Sequence, residues 1–149
     1  MTDLNHKSKS IEVTAEPQKL VMLAVKSKES AYVPYSNFHV GAALLADNGK
    51  VYTGCNIENA SYGATICAER TAIVKAISDG AKQVLAIAIS SDSKAATMPC
   101  GICRQTMSEF CTSDMPLYLS NRDGQFETYS FDEILPHLFK KSDMETKEC

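Results

Sequence analysis

Cys67 and the pair Cys100 and Cys103 constrain this chain more than any other feature. If the three thiols converge, they give a Zn²⁺ three protein ligands and leave the fourth tetrahedral position for water, as in a catalytic zinc site rather than a structural one. Convergence limits the fold as well as the chemistry. Cys100 and Cys103 are spaced so that both sulfurs fall on one side of a first helical turn, and Cys67 opens a helical pattern of its own. Two helices then begin at one point. Glu69 lies two residues beyond the first ligand, so it can stand beside the water without binding the metal, where a proton shuttle belongs.

Helix starts suit thiolates, because the free N–H groups and the positive dipole end lower a thiol's pKa. Three thiolates around Zn²⁺ nevertheless sum to a net charge of about −1, which weakens the metal's hold on the proton of its water. A nearby cation would offset this. Arg70, next to Glu69 at the same helix start, is the candidate for that charge offset by hydrogen bonding to ligand sulfurs. Arg104 reads equally as a second such donor or as a residue on a solvated helix face. A lone Cys-x-x-Cys would also fit a redox pair or two buried thiols. The proline before it and Cys67-Ala68-Glu69 upstream favour zinc.

At 149 residues the chain fits one domain with one sizeable core. No apolar run approaches the ~20 residues of a membrane-spanning helix. The stretch from Met1 to Glu16 is polar and lacks a signal peptide's apolar segment, so a cytoplasmic home is the default, with nuclear access left open. In that setting six cysteines read as metal binding plus free thiols rather than disulfides. With 15 Lys and Arg scattered against 18 Asp and Glu, there is no basic stripe to hold a phosphate backbone. A small neutral substrate fits better than nucleic acid, and no membrane partner is expected.

Residues 1–16 read as a flexible N-terminal arm, 17–139 as the folded domain and 140–149 as a charged C-terminal tail. Pro17 suits a first helical turn, and apolar residues at three- and four-residue spacing carry that helix to about Ser30. His39 to Ala46 and Val51 to Asn56 read as a hairpin about Asp47-Asn48-Gly49-Lys50, with positive φ favoured at the central Asn-Gly. Ile57 to Thr65 has no period and reads as a loop. A helix from Cys67 to Asp79 ends at Gly80. Val84 to Ser90 is apolar enough to be buried on both faces beside a parallel neighbour. A helix after Pro99, strands at Met115 to Ser120 and Gln125 to Ser130, and a short helix at Phe131 to Leu135 complete the order. The expected fold is an α/β layer structure with a mixed sheet covered on both faces.

Cys67-Ala68-Glu69-Arg70 with Pro99-Cys100-Gly101-Ile102-Cys103-Arg104-Gln105 resembles the zinc-dependent nucleoside deaminases, in particular the small three-cysteine cytidine deaminases. Pro34-Tyr35-Ser36-Asn37-Phe38-His39-Val40-Gly41-Ala42-Ala43 resembles that family's first strand. Gly54-Cys55-Asn56-Ile57-Glu58-Asn59-Ala60-Ser61-Tyr62 resembles its substrate loop, and Ile134-Leu135-Pro136-His137-Leu138-Phe139 its C-terminal segment. Gly63 departs from the pattern where many members have proline, and Lys140 where a glycine often follows the aromatic.

The resemblance implies a cytidine deaminase-like three-layer α/β/α fold with a five-stranded mixed sheet, one Zn²⁺ per subunit and a homotetramer with shared active sites. It implies catalysis by Glu69, metal ligation by Cys67, Cys100 and Cys103, and ribose binding by Asn56 and Glu58. Those two residues, at and just past a strand end, would by themselves be read as a turn Asn and a surface Glu, though a ribose hydroxyl suits both side chains. Phe38, by itself more often a core residue, is implied to flank the pyrimidine, and the backbone of Ala68 to hold the base edge. Tyr62 and Phe139 are implied to serve a neighbouring subunit's site. The implied activity is hydrolytic deamination of cytidine and 2′-deoxycytidine in pyrimidine salvage. Deamination of a cytosine-bearing antibiotic such as blasticidin S is a rival, against which Asn56-Ile57-Glu58-Asn59 argues. A non-catalytic zinc-stabilised protein is another, for which Glu69 would have no use.

Overall fold

The computed structural model describes residues 16–145. The N-terminal arm, apart from Glu16, lies outside the described residues, as does Cys149. Helix α1 (Pro17–Ser27) continues into a 3-10 turn (Lys28–Ser30). Strands β1 (Val40–Ala46) and β2 (Val51–Cys55) follow, then α2 (Ala68–Ser78), β3 (Val84–Ser91) and α3 (Gly101–Phe110). Strands β4 (Pro116–Ser120) and β5 (Phe126–Ser130) and the single-turn α4 (Phe131–Ile134) end the domain, and within the tail Lys141–Met144 forms a 3-10 turn.

The five strands lie in the order β2-β1-β3-β4-β5, with β3 and β4 parallel and the other neighbours antiparallel. Since β2 and β3 each run against β1, they run parallel to each other. Both are followed by a helix that crosses back over the sheet, so α2 and α3 start at the same sheet edge, the usual place for a site in an open α/β fold.

Period-two alternation sorts the side chains between two layers. Ala42 and Leu44, Ile87 and Ile89, and Leu117 and Leu119 face the core shared with α2, α3 and α4. Ala43, Ala86, Ala88 and Tyr118 face α1, which contributes Leu20, Val21 and Ala24. The α1 face of β1 and β3 is thus lined with small residues, and α1 sits close to the sheet. At Gly41 the approach is closest: a Cβ there would lie 2.0 Å from the Ala24 carbonyl oxygen and 2.9 Å from the Lys28 nitrogen. Gly41→Ala is therefore expected to lower unfolding free energy by about 3 kcal/mol, because only movement of the α1 backbone relieves the clash. Denaturant titration would check this; an unchanged midpoint would mean that α1 is not seated so tightly.

The hairpin turn differs in detail from expectation. The Gly49 N–H bonds to the Ala46 carbonyl and the Ala46 N–H to the Lys50 carbonyl, each at 3.0 Å. Only Gly49 takes a positive φ, of 78°, while Asn48 keeps a negative one. A three-residue loop with its bulge glycine needs one left-handed residue, whereas a two-residue Asn-Gly loop needs two. The stretch expected to be a loop also holds more order. Ile57 makes single bridges to Tyr32 and Ile66, and Tyr62–Ala64 forms a 3-10 turn.

Candidate active site

Cys67 is the N-cap of α2 and Cys100 the N-cap of α3, both with extended backbone, and neither side chain makes a capping hydrogen bond. Their sulfurs are free to face each other across the gap between the helix starts, 3.8 Å apart. Cys103, one turn into α3, is fully buried and completes a group whose ligand atoms all lie within 4.8 Å of one another. Tetrahedral Zn–S bonds of about 2.3 Å put sulfurs about 3.8 Å apart, so spacing and donor type both fit zinc. These three thiols would hold the ion.

The local charges favour an anion at Cys67. The Cys67 thiol is lowered to about 5, chiefly by its hydrogen bond with Cys103 and, against burial, by Arg70 and Cys100. Cys103 moves the opposite way, because its proton is shared with Cys67 and it is buried. Arg70 lies over this pair, its Nη2 donating to Cys67 Sγ at 3.7 Å and to the Thr65 carbonyl at 3.2 Å. Its buried Nε–H has no hydrogen-bond partner among the described residues. Arg104, by contrast, neither reaches a sulfur nor lies on a solvated face. Its Nε donates to the Pro99 carbonyl at 2.8 Å and its Nη1 to the Ile134 carbonyl at 2.6 Å, tying the turn before α3 to α4.

Glu69, in the first turn of α2, is only 4% exposed. Burial pushes its carboxyl up to about 7, and the Cys67 charge adds to the rise. Its oxygens do not join the three-sulfur group. Ala68 beside it is fully buried, and Gly54 of β2 packs so closely that a Cβ there would lie 2.5 Å from the Ala68 carbonyl oxygen.

The residues expected to bind sugar and base form a second, linked cluster. Asn56 Nδ2 donates to the Phe38 carbonyl at 2.8 Å and its Oδ1 accepts from the Val40 N–H at 2.9 Å. One donor and one lone pair remain for a ligand. Glu58 accepts from the N–H groups of Tyr35 and Ser36 and from the Ser36 hydroxyl; that hydroxyl, with the backbone bonds, holds its carboxyl below the usual range. Glu58 lines a cavity of about 400 Å³ with Tyr35, Ser36, Tyr62 and Thr65. The Thr65 carbonyl also receives Arg70, so one arginine links the cavity wall to Cys67, although none of the three cysteines lines the cavity.

Tyr62 lies on this chain's own cavity, its ring edge-on to Tyr35 at 5.6 Å, and is 74% exposed. Phe139 is not among the cavity's lining residues. Its carbonyl accepts from Gln105 of α3 at 2.9 Å, and it is 58% exposed. Tyr35, Ser36 and Thr65 carried no individual signal in the sequence, since their roles depend on partners 5 to 23 positions away.

Residues 14–119 match the family model described as the cytidine and deoxycytidylate deaminase zinc-binding region. The chain is 50% identical over 127 residues to the cytidine deaminase of Sporosarcina psychrophila, covering 85% of this chain and 93% of that one. It is 51% identical to the cytidine deaminase of Halalkalibacterium halodurans, with 85% and 96% covered. Among solved structures, the cytidine deaminase from Burkholderia pseudomallei superposes with a TM-score of 0.77 at 43% identity, covering 80% of this chain and 96% of that one.

Proposed function

Because the chain belongs to the family of zinc-dependent cytidine deaminases, we propose that it converts cytidine and 2′-deoxycytidine to uridine and 2′-deoxyuridine, releasing ammonia, in pyrimidine salvage. One observation carries the assignment of roles: a buried carboxyl, Glu69, beside three converging thiols but outside their group. Cys67, Cys100 and Cys103 would hold the zinc. When bound, the ion supplies the Lewis acidity that makes water nucleophilic at neutral pH. Glu69 takes a proton from the attacking water and delivers it to N3 of the ring as the oxygen bonds to C4. It then carries the second proton to the amino group, which leaves as ammonia, so one carboxyl serves as base and acid in turn. The burial of Glu69, which favours its protonated form, suits a group that must hold a proton between the two transfers.

Ala68 presents its backbone to the base edge, Phe38 flanks the ring, and Asn56 and Glu58 take the ribose hydroxyls. We place Tyr62 and Phe139 at a neighbouring subunit's site in a homotetramer; two large aromatics this exposed support a partner that covers them. Domain limits of 17–139 follow the same reading, with the site inside them and the tail apart from it. A cytoplasmic location is part of the proposal, and no helix among the described residues is long and apolar enough to cross a membrane.

Incubation of the zinc-loaded protein with cytidine, deoxycytidine, adenosine, blasticidin S and a single-stranded oligonucleotide, with ammonia as the readout, tests the proposal. The two cytosine nucleosides alone should react. Failure to consume cytidine would remove it. Arg70→Gln should retain zinc and turn over about tenfold to a hundredfold more slowly, since a charge-assisted donor to a ligand sulfur is lost. Unchanged turnover would refute the charge-offset role of Arg70.

A further inference from the structure

Phe38 sits in a segment whose backbone is held largely by side chains. Every N–H from Tyr35 to Val40 has a partner. Glu58 takes those of Tyr35 and Ser36, Val33 O that of Asn37, and Ser36 Oγ that of Phe38. Asp92 takes that of His39 at 2.9 Å and Asn56 that of Val40. Within the segment Asn37 is left-handed, at φ 52°, a conformation that surrounding contacts must hold.

Asp92 lies just past β3, outside the metal and sugar motifs. Its Oδ2 also meets His39 Nδ1 at 2.8 Å, while Oδ1 faces Lys28 Nζ at 3.8 Å. The Lys28 side chain is 12% exposed and donates to the Ser91 carbonyl at 3.0 Å, so the carboxylate is moored to a largely buried cation. The Phe38 carbonyl and the His39 N–H are the two ends of one peptide plane, and they point in opposite directions. Asn56 holds the first end at 2.8 Å and Asp92 the second. Gripping both ends fixes the rotation of that plane, and with it ψ of Phe38.

We infer that Asp92 is a positioning residue for nucleoside binding: by fixing the Phe38–His39 peptide plane it sets the direction in which Phe38 meets the base. This rests on the reading of Phe38 as the residue that flanks the ring. Ground-state binding suffers when Asp92 is lost, while the thiol cluster and Glu69 are untouched.

Steady-state kinetics with cytidine test this on the zinc-loaded protein. Asp92→Ala should raise KM about tenfold, leave kcat within about twofold and keep the zinc content, the pattern of lost uniform binding. In a Phe38→Ala background the same substitution should change KM by less than about twofold, because the two residues act as a unit. A structural role alone would lower the unfolding midpoint without that coupling. Unchanged KM, or full multiplicativity with Phe38→Ala, overturns the inference. If Asp92→Ala does not fold, Asp92→Leu, similar in shape but without an acceptor for the His39 N–H, decides. The chain has no tryptophan, so Phe38→Trp gives a single reporter, whose acrylamide quenching should rise with Asp92→Leu and would overturn the inference by staying constant. A wild-type protein active on cytidine separates these outcomes from failure of the functional reading.

Discussion

Glu69→Gln should retain one zinc per chain and lose about 10⁴-fold in kcat/KM for cytidine, the upper end of the range for removing a general acid–base group. Gln preserves the volume of a side chain that is 4% exposed, so the first turn of α2 keeps its packing on Gly54 and the core. What it cannot do is accept a proton. In the proposed reaction the carboxyl moves two protons, one to N3 and one to the departing amino group, and no other carboxylate among the described residues is buried enough to substitute. Replacing a buried acid by a neutral amide removes an ionisation that burial opposes, so unfolding should occur at no lower temperature. Metal analysis, ammonia release and thermal unfolding on one preparation would separate the effects. Full activity in Glu69→Gln would take Glu69 out of the mechanism; loss of zinc would make it a ligand instead of a proton carrier.

The convergence of the three thiols, with Glu69 buried near them, was legible in the sequence because few residue types suit a metal and a helix start fixes their spacing. Cys67 and Cys100 were each readable as helix openers, but that both starts share a sheet edge follows from the strand directions, which element order alone left open. The alternation of Ala43, Ala86 and Ala88 against Leu44, Ile87 and Ile89 was equally present as a period of two. Contacts made across the fold by single side chains were not legible. Arg104 offered two readings, sulfur or solvent, and took neither, because its acceptor at Ile134 is 30 positions away and its location depends on α4. Asn56 and Glu58 could be matched to a ribose, yet their use in lacing the Phe38 segment depends on β1 lying beside β2. Ile57 bridges two separate segments one residue at a time, and periodicity cannot register that. The Asn48-Gly49 turn shows the limit at shortest range. A dipeptide preference named the turn, but the hydrogen bonds from Ala46 chose the loop length and left Asn48 with an ordinary φ.

Cys103→Ser should remove both the zinc and the activity, with turnover at least about 10³-fold down, and should destabilise the domain. A serine hydroxyl is not ionised at neutral pH, so two thiolates remain for an ion that needs three protein ligands. Cys103 is fully buried in the core that α2, α3 and the sheet share, while Cys67 belongs to the other helix start. An ion held there would join two elements, and its binding would be coupled to their docking. At free zinc about 1,000 times its dissociation constant the coupling contributes about 4 kcal/mol, which for a chain of this size lowers the unfolding midpoint by of order 10 °C when lost. Wild-type protein stripped by a chelator should show a similar fall, reversed by added zinc, whereas Cys103→Ser should not recover. Cys111→Ser supplies the contrast. Its thiol, pushed up to about 12 by burial, packs beside the same core but outside the three-sulfur group, so zinc content and turnover should stay within about twofold of wild type. Stoichiometric zinc in Cys103→Ser would rule out the three-thiolate site, and with it the reason for two helices to begin at one point.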